Sequence, residues 1–455
     1  MKKIIDIFIR FLKWLSPGME VKRWLFLSWL GLMIFAFGFL LLTNIRIPLN
    51  IELSIVDFFA NKLKITVSSK LVDIFFVIIG LLIMAYAQHK WFRSIYAVIV
   101  PFEGKKLVEI IYEKRKLDVG YKLVAIGGGT GLSALLRGLK HYTSNITAMV
   151  TVSDDGGSSG RLRTEFGILP PGDIRNCLVA LAKDESTLSS LFQYRFETGE
   201  GLEGHSFGNL FLTALNNIAQ DDFQKAIKLS SEILSIQGKV FPATLQKTTL
   251  CAEMKSGEII CGESIIPEKS GEINRIFLKP ENTTPLPEVL LAIKEADAII
   301  LGPGSLYTSI LPNLQVPGIV EAIKESEALK LYICNVMTQT GETTGFNASQ
   351  HLLALYKNSA DKLVDVIIVN EEMPINLVEK YKAEGAFAVE PDISNLKKMN
   401  VGIITGQLLN ENEQVRHDSA KLASIIVKTI SENQKTKGGM WKNFVGKLEQ
   451  KNNER

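Results

Sequence analysis

The feature that most constrains this chain is Trp24 to Ile45, a 22-residue stretch without a charged side chain. As a helix it is long enough to cross about 30 Å of hydrocarbon. A cleaved signal peptide is the alternative, but its apolar core is usually about 7–15 residues long and is followed by a small-residue cleavage site. A buried helix of a soluble protein fits less well, because this stretch is apolar on every face. We therefore predict a transmembrane helix over about residues 24–45.

A second apolar run, Leu71 to Gln88, is interrupted only by Asp73 and predicts a second transmembrane helix over about residues 71–88. Six Lys or Arg residues precede the first run, seven follow the second before residue 118, and four lie between them. Because positive residues favour the cytoplasmic side, we expect both termini inside. This predicts a multi-pass inner-membrane protein with a soluble cytoplasmic domain. Trp91 to Pro101 predicts an interfacial helix that leads into a charged linker.

The composition of the whole chain excludes several classes of protein. With 51 Lys and Arg against 48 Asp and Glu, the net charge of +3 does not indicate a nucleic-acid binder. The content of 46% hydrophobic residues is typical of packed protein. The four cysteines have no CxxC spacing, which argues against a disulfide scaffold and a structural zinc site and favours a reducing compartment.

From Tyr121 onward the pattern changes to short β-branched runs that alternate with amphipathic stretches. This pattern is typical of an α/β fold with a parallel sheet and crossover helices. We therefore divide the chain into a membrane region with linker at 1–118, a nucleotide-binding domain at 119–430 and a basic C-terminal tail at 431–455. The tail either touches the membrane surface or, as we favour, is a solvated end.

A glycine-rich turn opens the α/β domain. Lys122 to Lys140 predicts a buried strand, a tight turn at Gly127, Gly128 and Gly129, and a helix. Glycines there allow positive φ and let a diphosphate approach the backbone N–H groups at the helix start. The dinucleotide pattern fits with Gly129 and Gly131 but is weak alone, and a plain tight turn remains the alternative. We expect Gly129→Val or Gly131→Val to abolish binding without unfolding the domain.

The next strand, Ile146 to Ser153, opens into a long loop dense in glycine, hydroxyl, acidic and arginine residues, and a loop of this kind is usually functional. Asp154 and Asp155 can orient a ribose or hold a divalent cation beside a diphosphate, and Arg161 can neutralise phosphate. The alternative is that these acids pair with the arginines. We favour ligand contact, because glycine-rich loops at consecutive strand ends open into one crevice.

Further polar segments follow other predicted elements. Glu203 to Leu215 places His205 at the head of an apolar helix, where it is either a general base or a helix cap. Ala296 to Leu314 predicts a strand, a glycine turn and a hydroxyl-rich loop, in which Tyr307 is either a ligand contact or packing. Thr248 to Gly262 predicts a β-hairpin with its tip at Ser256–Gly257.

Taken together, these segments are specific. They read AIGGGTGLSALLRGLK, TVSDDGGSSGRLR, PPGDIRNCLVAL, GHSFGNL, LGPGSLYTSILPNL, CNVMTQTGET and VRHDS. In them the chain closely resembles the YvcK family of gluconeogenesis factors, within the CofD-like superfamily of 2-phospho-L-lactate transferases. The resemblance runs from about residue 121 to about residue 430. It does not cover the two apolar runs, which typical soluble members lack.

The resemblance implies a Rossmann-like α/β domain that binds a nucleotide diphosphate, with UDP-sugars as the ligand class. It also implies a regulatory role in cell shape and envelope synthesis during gluconeogenic growth, and we expect a homo-oligomer. The alternative is a 2-phospho-L-lactate transferase-like enzyme with a nucleotide diphosphate donor and a divalent metal. A third class, an NAD-dependent oxidoreductase, fits less well, because the second strand ends in a Gly-Ser loop. We assign no catalytic residue and no cofactor; if a metal takes part, as in the transferase alternative, it is Mg²⁺ held by Asp154 and Asp155.

Two residues near the end of the domain complete the predicted site. Arg416 is expected in the first turn of a helix, free to grip a diphosphate, and Tyr381 offers a ring for stacking on uracil. Their alternatives are an arginine paired with Asp418 and a packing tyrosine, and the resemblance favours the ligand contacts. The predicted ligand-binding residues are Gly127, Gly128, Gly129, Thr130, Gly131, Asp154, Asp155, Ser158, Arg161, Asn176, His205, Asn209, Gly304, Ser305, Tyr307, Tyr381 and Arg416.

Overall fold

A computed structural model describes residues 22–43, 69–99, 112, 115–183, 185–269, 271–359, 362–375, 377–411 and 415–436 of the chain. The chain divides into two compact units, Met1–Tyr112 and Glu113–Arg455. The predicted domain boundary at residue 118 falls close to this division. Most of the predicted C-terminal tail lies outside the described residues.

The described part of the first unit consists of two long helices, α1 (Lys22–Leu42) and α2 (Ser69–Ile99). Arg23–Leu42 and Lys70–Ser94 are long and apolar enough to cross a membrane by length and composition, with mean hydropathies of 2.4 and 2.2. Large apolar side chains such as Phe26 stay exposed on them. The prediction of a separate interfacial helix at Trp91 is wrong, because α2 continues without a break to Ile99.

Glycines bring the backbones of α1 and α2 together. A Cβ atom added to Gly80 would overlap the backbone nitrogen of Phe35, and one added to Gly38 would lie 2.7 Å from the backbone nitrogen of Val77. Small residues of this kind let the backbones of two helices approach each other closely. The two helices therefore form a hairpin whose contact face is built from glycine.

The second unit is built on a seven-stranded parallel sheet in the order β10-β9-β8-β7-β1-β2-β3. Its strands are β1 (Leu123–Gly127), β2 (Ile146–Val150), β3 (Lys239–Pro242), β7 (Ala298–Leu301), β8 (Leu329–Ile333), β9 (Val366–Asn370) and β10 (Gly402–Gly406). Their apolar residues form two core clusters: Val124, Ile126 and Ile299 belong to one, while Leu123, Ala125 and Ile300 belong to the other. This alternation is the pattern of a sheet buried on both faces, as the α/β prediction requires.

Helices connect and cover these strands. They are α3 (Gly129–Leu139), α4 (Gly157–Phe166), α5 (Gly172–Leu181), α6 (Glu185–Gln193), α7 (Phe207–Ile218), α8 (Phe223–Ile233), α9 (Pro287–Glu295), α10 (Leu311–Leu314), α11 (Ile319–Glu325), α12 (Ala348–Ser359), α13 (Val378–Ala383), α14 (Ile393–Lys398) and α15 (Ser419–Thr436). A π-helical turn, Leu306–Ile310, precedes α10. The strand order reverses between β1 and β7, so a crevice opens at their carboxyl ends, where ligands bind in folds of this type.

Two small antiparallel sheets complete the unit. Strands β4 (Thr249–Met254), β5 (Ile259–Cys261) and β6 (Ile273–Lys279) form one, and β11 (Leu409–Glu411) with β12 (Val415–His417) forms the other. The hairpin predicted at Thr248 to Gly262 is confirmed as β4 and β5.

Cysteine pairing differs from the sequence prediction. Cys251 on β4 lies directly opposite Cys261 on β5, and a disulfide bond joins them. The two thiols are ten residues apart, and only the strand register makes them neighbours. The cysteine spacing alone did not reveal this pair.

Candidate functional site

The glycine turn between β1 and α3 lies at the reversal of strand order. Gly129 has φ +62, and a Cβ atom added there would meet no atom nearer than the Ser309 hydroxyl oxygen at 3.8 Å. The carbonyl oxygen of Gly127 accepts a hydrogen bond from the Asn313 side chain at 3.1 Å, which fixes the end of β1. Thr130 is exposed in the first turn of α3. The backbone at Gly129 therefore faces open space, and contact with a ligand there stays a prediction.

The turn after β7 packs directly against this glycine turn. A Cβ atom added to Gly131 would lie 2.6 Å from the Pro303 carbonyl oxygen and 2.9 Å from the Gly304 Cα atom. The Gly304 N–H donates to the Asn335 side chain at 3.2 Å, which links this turn to the loop after β8. Gly131→Val should therefore destabilise the domain as well as affect any ligand, because the new side chain would overlap the backbone of the neighbouring turn.

Ser305 and Tyr307 are held by contacts within the protein. The Ser305 hydroxyl donates to the Glu342 carboxylate, with oxygen–oxygen distances of 2.6 and 2.5 Å. The ring of Tyr307 is buried in one core cluster with 3% exposure, and burial raises the pKa of its hydroxyl to about 12. The packing alternative for Tyr307 thus describes its position better than ligand contact.

Glu342 organises the loop after β7, and the sequence analysis did not single it out. Its buried carboxylate also accepts from the Tyr307 N–H at 3.2 Å and from the Thr308 hydroxyl at 3.1 Å. Burial raises the pKa of this carboxyl group, and these hydrogen bonds oppose the shift. An acid among the threonines of NVMTQTGETTGF was the only available signal.

The two predicted acids after β2 have different surroundings. One Asp154 carboxylate oxygen accepts from the Gly156 N–H at 2.9 Å, and burial raises the pKa of this group. Asp155 accepts from the Glu263 and Ser264 N–H groups at 3.1 and 2.9 Å, and so ties α4 to the segment after β5. Backbone N–H groups and the Ser159 side chain are the hydrogen-bond partners of these acids, whereas Arg163 acts on Asp154 through its charge.

Two acids missed by the sequence analysis face the same place as Asp154. The carboxylate of Asp173, in the first turn of α5, lies against Gly128 and is held by the Gly129 backbone. Burial, followed by the nearby charge of Asp154, raises the pKa of Asp173 to about 6. Burial, followed by the charges of Asp154 and Asp173, raises the pKa of Glu263 to about 8. Part of this acidic cluster is therefore protonated near neutral pH.

The acidic cluster of Asp154, Asp173 and Glu263 is the candidate site for the Mg²⁺ of the transferase alternative. Among the residues that the structure describes, no three His, Cys, Asp or Glu side chains are arranged to hold a metal ion. Asp173 nevertheless faces the glycine turn, since a Cβ atom added to Gly128 would contact its carboxylate oxygen, and Asp154 lies beside Gly172 at the start of α5, where its charge acts on Asp173. They fit a cation that takes its remaining ligands from a diphosphate, the usual arrangement for Mg²⁺.

A buried polar network joins α4, α5 and α7. The Ser158 hydroxyl lies 2.9 Å from His205 Nδ1 and accepts from the Asn209 side-chain amide at 3.0 Å. Arg175 donates to the Ser206 hydroxyl and the Asn209 carbonyl oxygen at 2.5 and 2.9 Å. The helix cap of α7 is Ser206, which accepts from the Asn209 N–H, so the capping alternative for His205 is wrong.

Two other predicted residues lie beside this network. Arg161 is exposed, and its guanidinium donates to the Glu203 carbonyl oxygen at 2.5 Å. The side chain of Asn176 accepts from Arg175 at 2.8 Å. The structure therefore gathers four of the predicted site residues, Ser158, Arg161, His205 and Asn209, into one group.

Arg416 lies in strand β12 and not in a helix, since α15 begins only at Ser419. Backbone pairing with Asn410 on β11 holds it half-buried. The adjacent His417 hydrogen-bonds the backbone of Cys334, which directly follows β8. This contact brings the β11–β12 hairpin to the carboxyl edge of the sheet, where the crevice opens.

Tyr381 supports the same hairpin. Its hydroxyl oxygen accepts from the Val415 N–H at 3.1 Å, and its ring packs against a small cluster formed by Val336, Met337, Leu409 and Val415. The hydroxyl is therefore engaged with the protein. Stacking of the half-buried ring on a base stays a prediction.

Comparison with known proteins shows the family of this chain. The profile of the CofD family, described as 2-phospho-L-lactate transferase CofD, matches residues 123–409. A gluconeogenesis factor from Bacillus subtilis is 51% identical over 313 residues, which are 68% of this chain and 98% of that protein. A solved structure from Bacillus halodurans, a member of the UPF0052 family, is 51% identical with a TM-score of 0.65 and covers 68% of this chain and 99% of its own.

The N-terminal region is shared with longer relatives. A protein of Nostoc sp. is 45% identical over 423 residues, 91% of this chain and 92% of its own length. A protein of Clostridium acetobutylicum is 43% identical over 436 residues, 93% of each chain. Both are provisionally described as gluconeogenesis factors. Since the family profile and relatives at this identity span most of the chain, it belongs to the CofD family, in the branch of the YvcK gluconeogenesis factors.

Proposed function

We propose that this protein is a membrane-tethered regulatory protein whose α/β unit binds a nucleotide diphosphate, with a UDP-sugar as the ligand. Both termini and the α/β unit lie in the cytoplasm, and ligand binding is read out in envelope synthesis during gluconeogenic growth. The membrane part rests on the two long apolar helices and on the Lys and Arg distribution around them.

The observation that carries the ligand proposal is the meeting of two glycine turns at the reversal of strand order. Gly129 leaves open space above the start of α3, and the turn at Gly304 closes the other side. Backbone N–H groups at a helix start attract phosphate oxygens through the positive end of the helix dipole. A diphosphate there would compete with the Asp173 carboxylate, which the Gly129 backbone now holds.

The β11–β12 hairpin supplies a cation at the same edge of the sheet. Arg416 can pair bidentately with a phosphate, a geometry that lysine cannot reproduce. We expect Arg416→Ala to weaken UDP-sugar binding by about 1.5–3 kcal/mol, which is the range for hydrogen bonds to charged groups and corresponds to roughly one to two decades in Kd.

Calorimetry with a panel of nucleotide sugars on the α/β unit measures this loss, and the Bacillus relatives show that such a unit exists as a complete protein. Arg275→Ala is the matched control, because Arg275 pairs with Glu253 on the small sheet. Equal affinity of wild type and Arg416→Ala would show that the β11–β12 hairpin does not contact the ligand. Retained affinity in a folded Gly129→Ala variant would show the same for the glycine turn.

Topology has its own experiment. A reporter that works only in the cytoplasm, fused after Asp118 in the full chain, is expected to be active. Activity of an outward-reporting fusion at the same residue would overturn the orientation and the cytoplasmic ligand with it.

A second candidate function is a transferase that uses the same crevice, and the cluster of Asp154, Asp173 and Glu263 favours it. A divalent cation bound there would neutralise charge on a diphosphate donor, and Asp154 and Asp173 would orient it. Nucleotide-sugar binding that strengthens at least tenfold with Mg²⁺, together with a new product by mass spectrometry, would establish this function. Metal-independent binding without turnover would leave the regulatory function alone.

A further inference from the structure

An open cavity of about 660 Å³ lies between the start of α4 and the loop that precedes α7. Its lining includes Gly157, Ser158, Arg161, Arg195 and Gly204. The backbone at Gly157 is exposed, and a Cβ atom added there would meet no atom within 4 Å. Ser158 and Arg161 are also predicted ligand-binding residues, but the lining of this cavity includes none of the residues of the two glycine turns.

Each of the two exposed arginines at the cavity donates a hydrogen bond to a loop carbonyl oxygen. Arg161 donates to the Glu203 carbonyl oxygen at 2.5 Å, and Arg195 donates to the Gly204 carbonyl oxygen at 2.6 Å. A guanidinium group carries five N–H donors, so one such bond positions each group and leaves donors for a bound oxyanion. Two guanidinium groups next to the N-terminus of the ten-residue helix α4 favour a dianion, despite the exposed Glu200 and Glu203 at the rim.

Ser158, in the first turn of α4, hydrogen-bonds both Asn209 and His205. Its oxygen accepts from the Asn209 amide at 3.0 Å, and with the His205 proton on Nε2 its hydroxyl donates to Nδ1 at 2.9 Å. Burial, followed by the charge of Arg161, lowers the pKa of His205, which keeps its imidazole neutral and able to accept this proton near neutral pH. A serine hydroxyl that is hydrogen-bonded to a neutral imidazole is the arrangement that activates a hydroxyl nucleophile.

We propose that Ser158 accepts a phosphoryl group from a phosphate monoester bound by Arg161 and Arg195. The Ser158 oxygen forms a bond to phosphorus as the bond from phosphorus to the ester oxygen breaks. The Ser158 proton passes to His205 Nδ1, and the imidazolium then returns it to the departing ester oxygen. The products are phosphorylated Ser158 and the free alcohol, and no metal or nucleotide takes part.

The experiment uses the full chain in detergent with p-nitrophenyl phosphate as the donor and without nucleotide. We expect one phosphoryl group per chain, located on Ser158 by peptide mass spectrometry, with a matching burst of p-nitrophenolate. Ser158→Ala should abolish both signals. Ser230→Ala is the matched control, because Ser230 is another buried serine in a helix and its hydroxyl donates to the Ala226 carbonyl oxygen, away from this cavity.

His205→Asn separates catalysis from structure. The asparagine amide can keep a hydrogen bond near the position of Nδ1 but cannot take up a proton, so the rate should fall by about 10²–10⁴-fold while the melting temperature changes little. Arg161→Gln should raise the donor concentration at half-maximal rate and leave the modified residue unchanged.

Three results would overturn the proposal: no phosphoryl group on the wild-type chain at millimolar donor, phosphorylation that persists in Ser158→Ala, or a wild-type rate in His205→Asn. These results concern phosphoryl transfer alone, because the assay contains no nucleotide and the nucleotide proposal is tested separately with Arg416→Ala and Gly129→Ala.

Discussion

The two units of this protein use glycine for opposite purposes. In the helical hairpin, Gly38 and Gly80 leave no room for a Cβ atom, because the backbone of the other helix occupies that space. In the α/β unit, Gly129 has a positive φ and open space around it. The first use buries backbone against backbone, whereas the second leaves backbone exposed. A glycine in close contact with another backbone thus indicates packing, whereas a glycine that faces open space indicates a place where a ligand can approach.

The α/β unit itself contains both uses within three residues. Gly131→Val should lower the free energy of unfolding by about 3 kcal/mol or more, at or beyond the upper end of overpacking effects, because its Cβ atom would lie 2.6 Å from the Pro303 carbonyl oxygen. Gly129→Ala should cost about 1–2 kcal/mol, the strain of a left-handed backbone. Urea unfolding of the α/β unit compares the two variants. Equal losses would mean that Gly129 is a packing residue too.

The hairpin should respond to a larger side chain at its contact face. Gly80→Val forces the two helices apart and should weaken their association by about 1–3 kcal/mol. Cysteines placed at Phe37 and Phe76, whose rings are 5.4 Å apart, should then lose most of their crosslinking in detergent. Leu82→Val is the control, because Leu82 is 63% exposed. Unchanged crosslinking in Gly80→Val would show that the glycine does not set the helix separation.

The smallest expected effect concerns the acidic cluster of the α/β unit. Because the pKa of Glu263 rises from 4.5 to about 8 on folding, the native state binds more protons than the unfolded state between these values. This contribution to stability is present at low pH and is lost as the pH rises through the native pKa. Glu263→Gln should therefore be more stable than wild type at pH 9, by an amount on the order of 1 kcal/mol.

Unfolding at pH 5 and pH 9 measures this difference, which should shrink at pH 5, where the wild-type side chain is protonated in the native state. Glu258→Gln, at an exposed position of the β4–β5 hairpin, is the control and should show no such dependence on pH. A Glu263→Gln difference that is the same at both pH values would show that the cluster does not hold a proton on Glu263.

Sequence reasoning located the loops of the site but not all of its residues. The turns after β1, β2 and β7 were predicted at the correct strand ends, because a glycine run after a buried apolar strand is a local signal. Asp173 and Glu342 were missed, because α5 and the loop after β8 bring them to the glycine turns from distant parts of the chain. Arg416 was expected in a helix because the apolar periodicity of α15 begins only a few residues later.

By itself the sequence determined the two long apolar helices, the parallel α/β fold and the glycine turns. These features depend on the length, periodicity and backbone freedom of adjacent residues. The tertiary structure alone decided which carboxylates face Gly128 and Gly129, that Cys251 pairs with Cys261, and that the Ser158 hydroxyl meets His205. The reason is physical: such contacts depend on strand order and register, which place distant residues within hydrogen-bonding distance, and no local pattern encodes those distances.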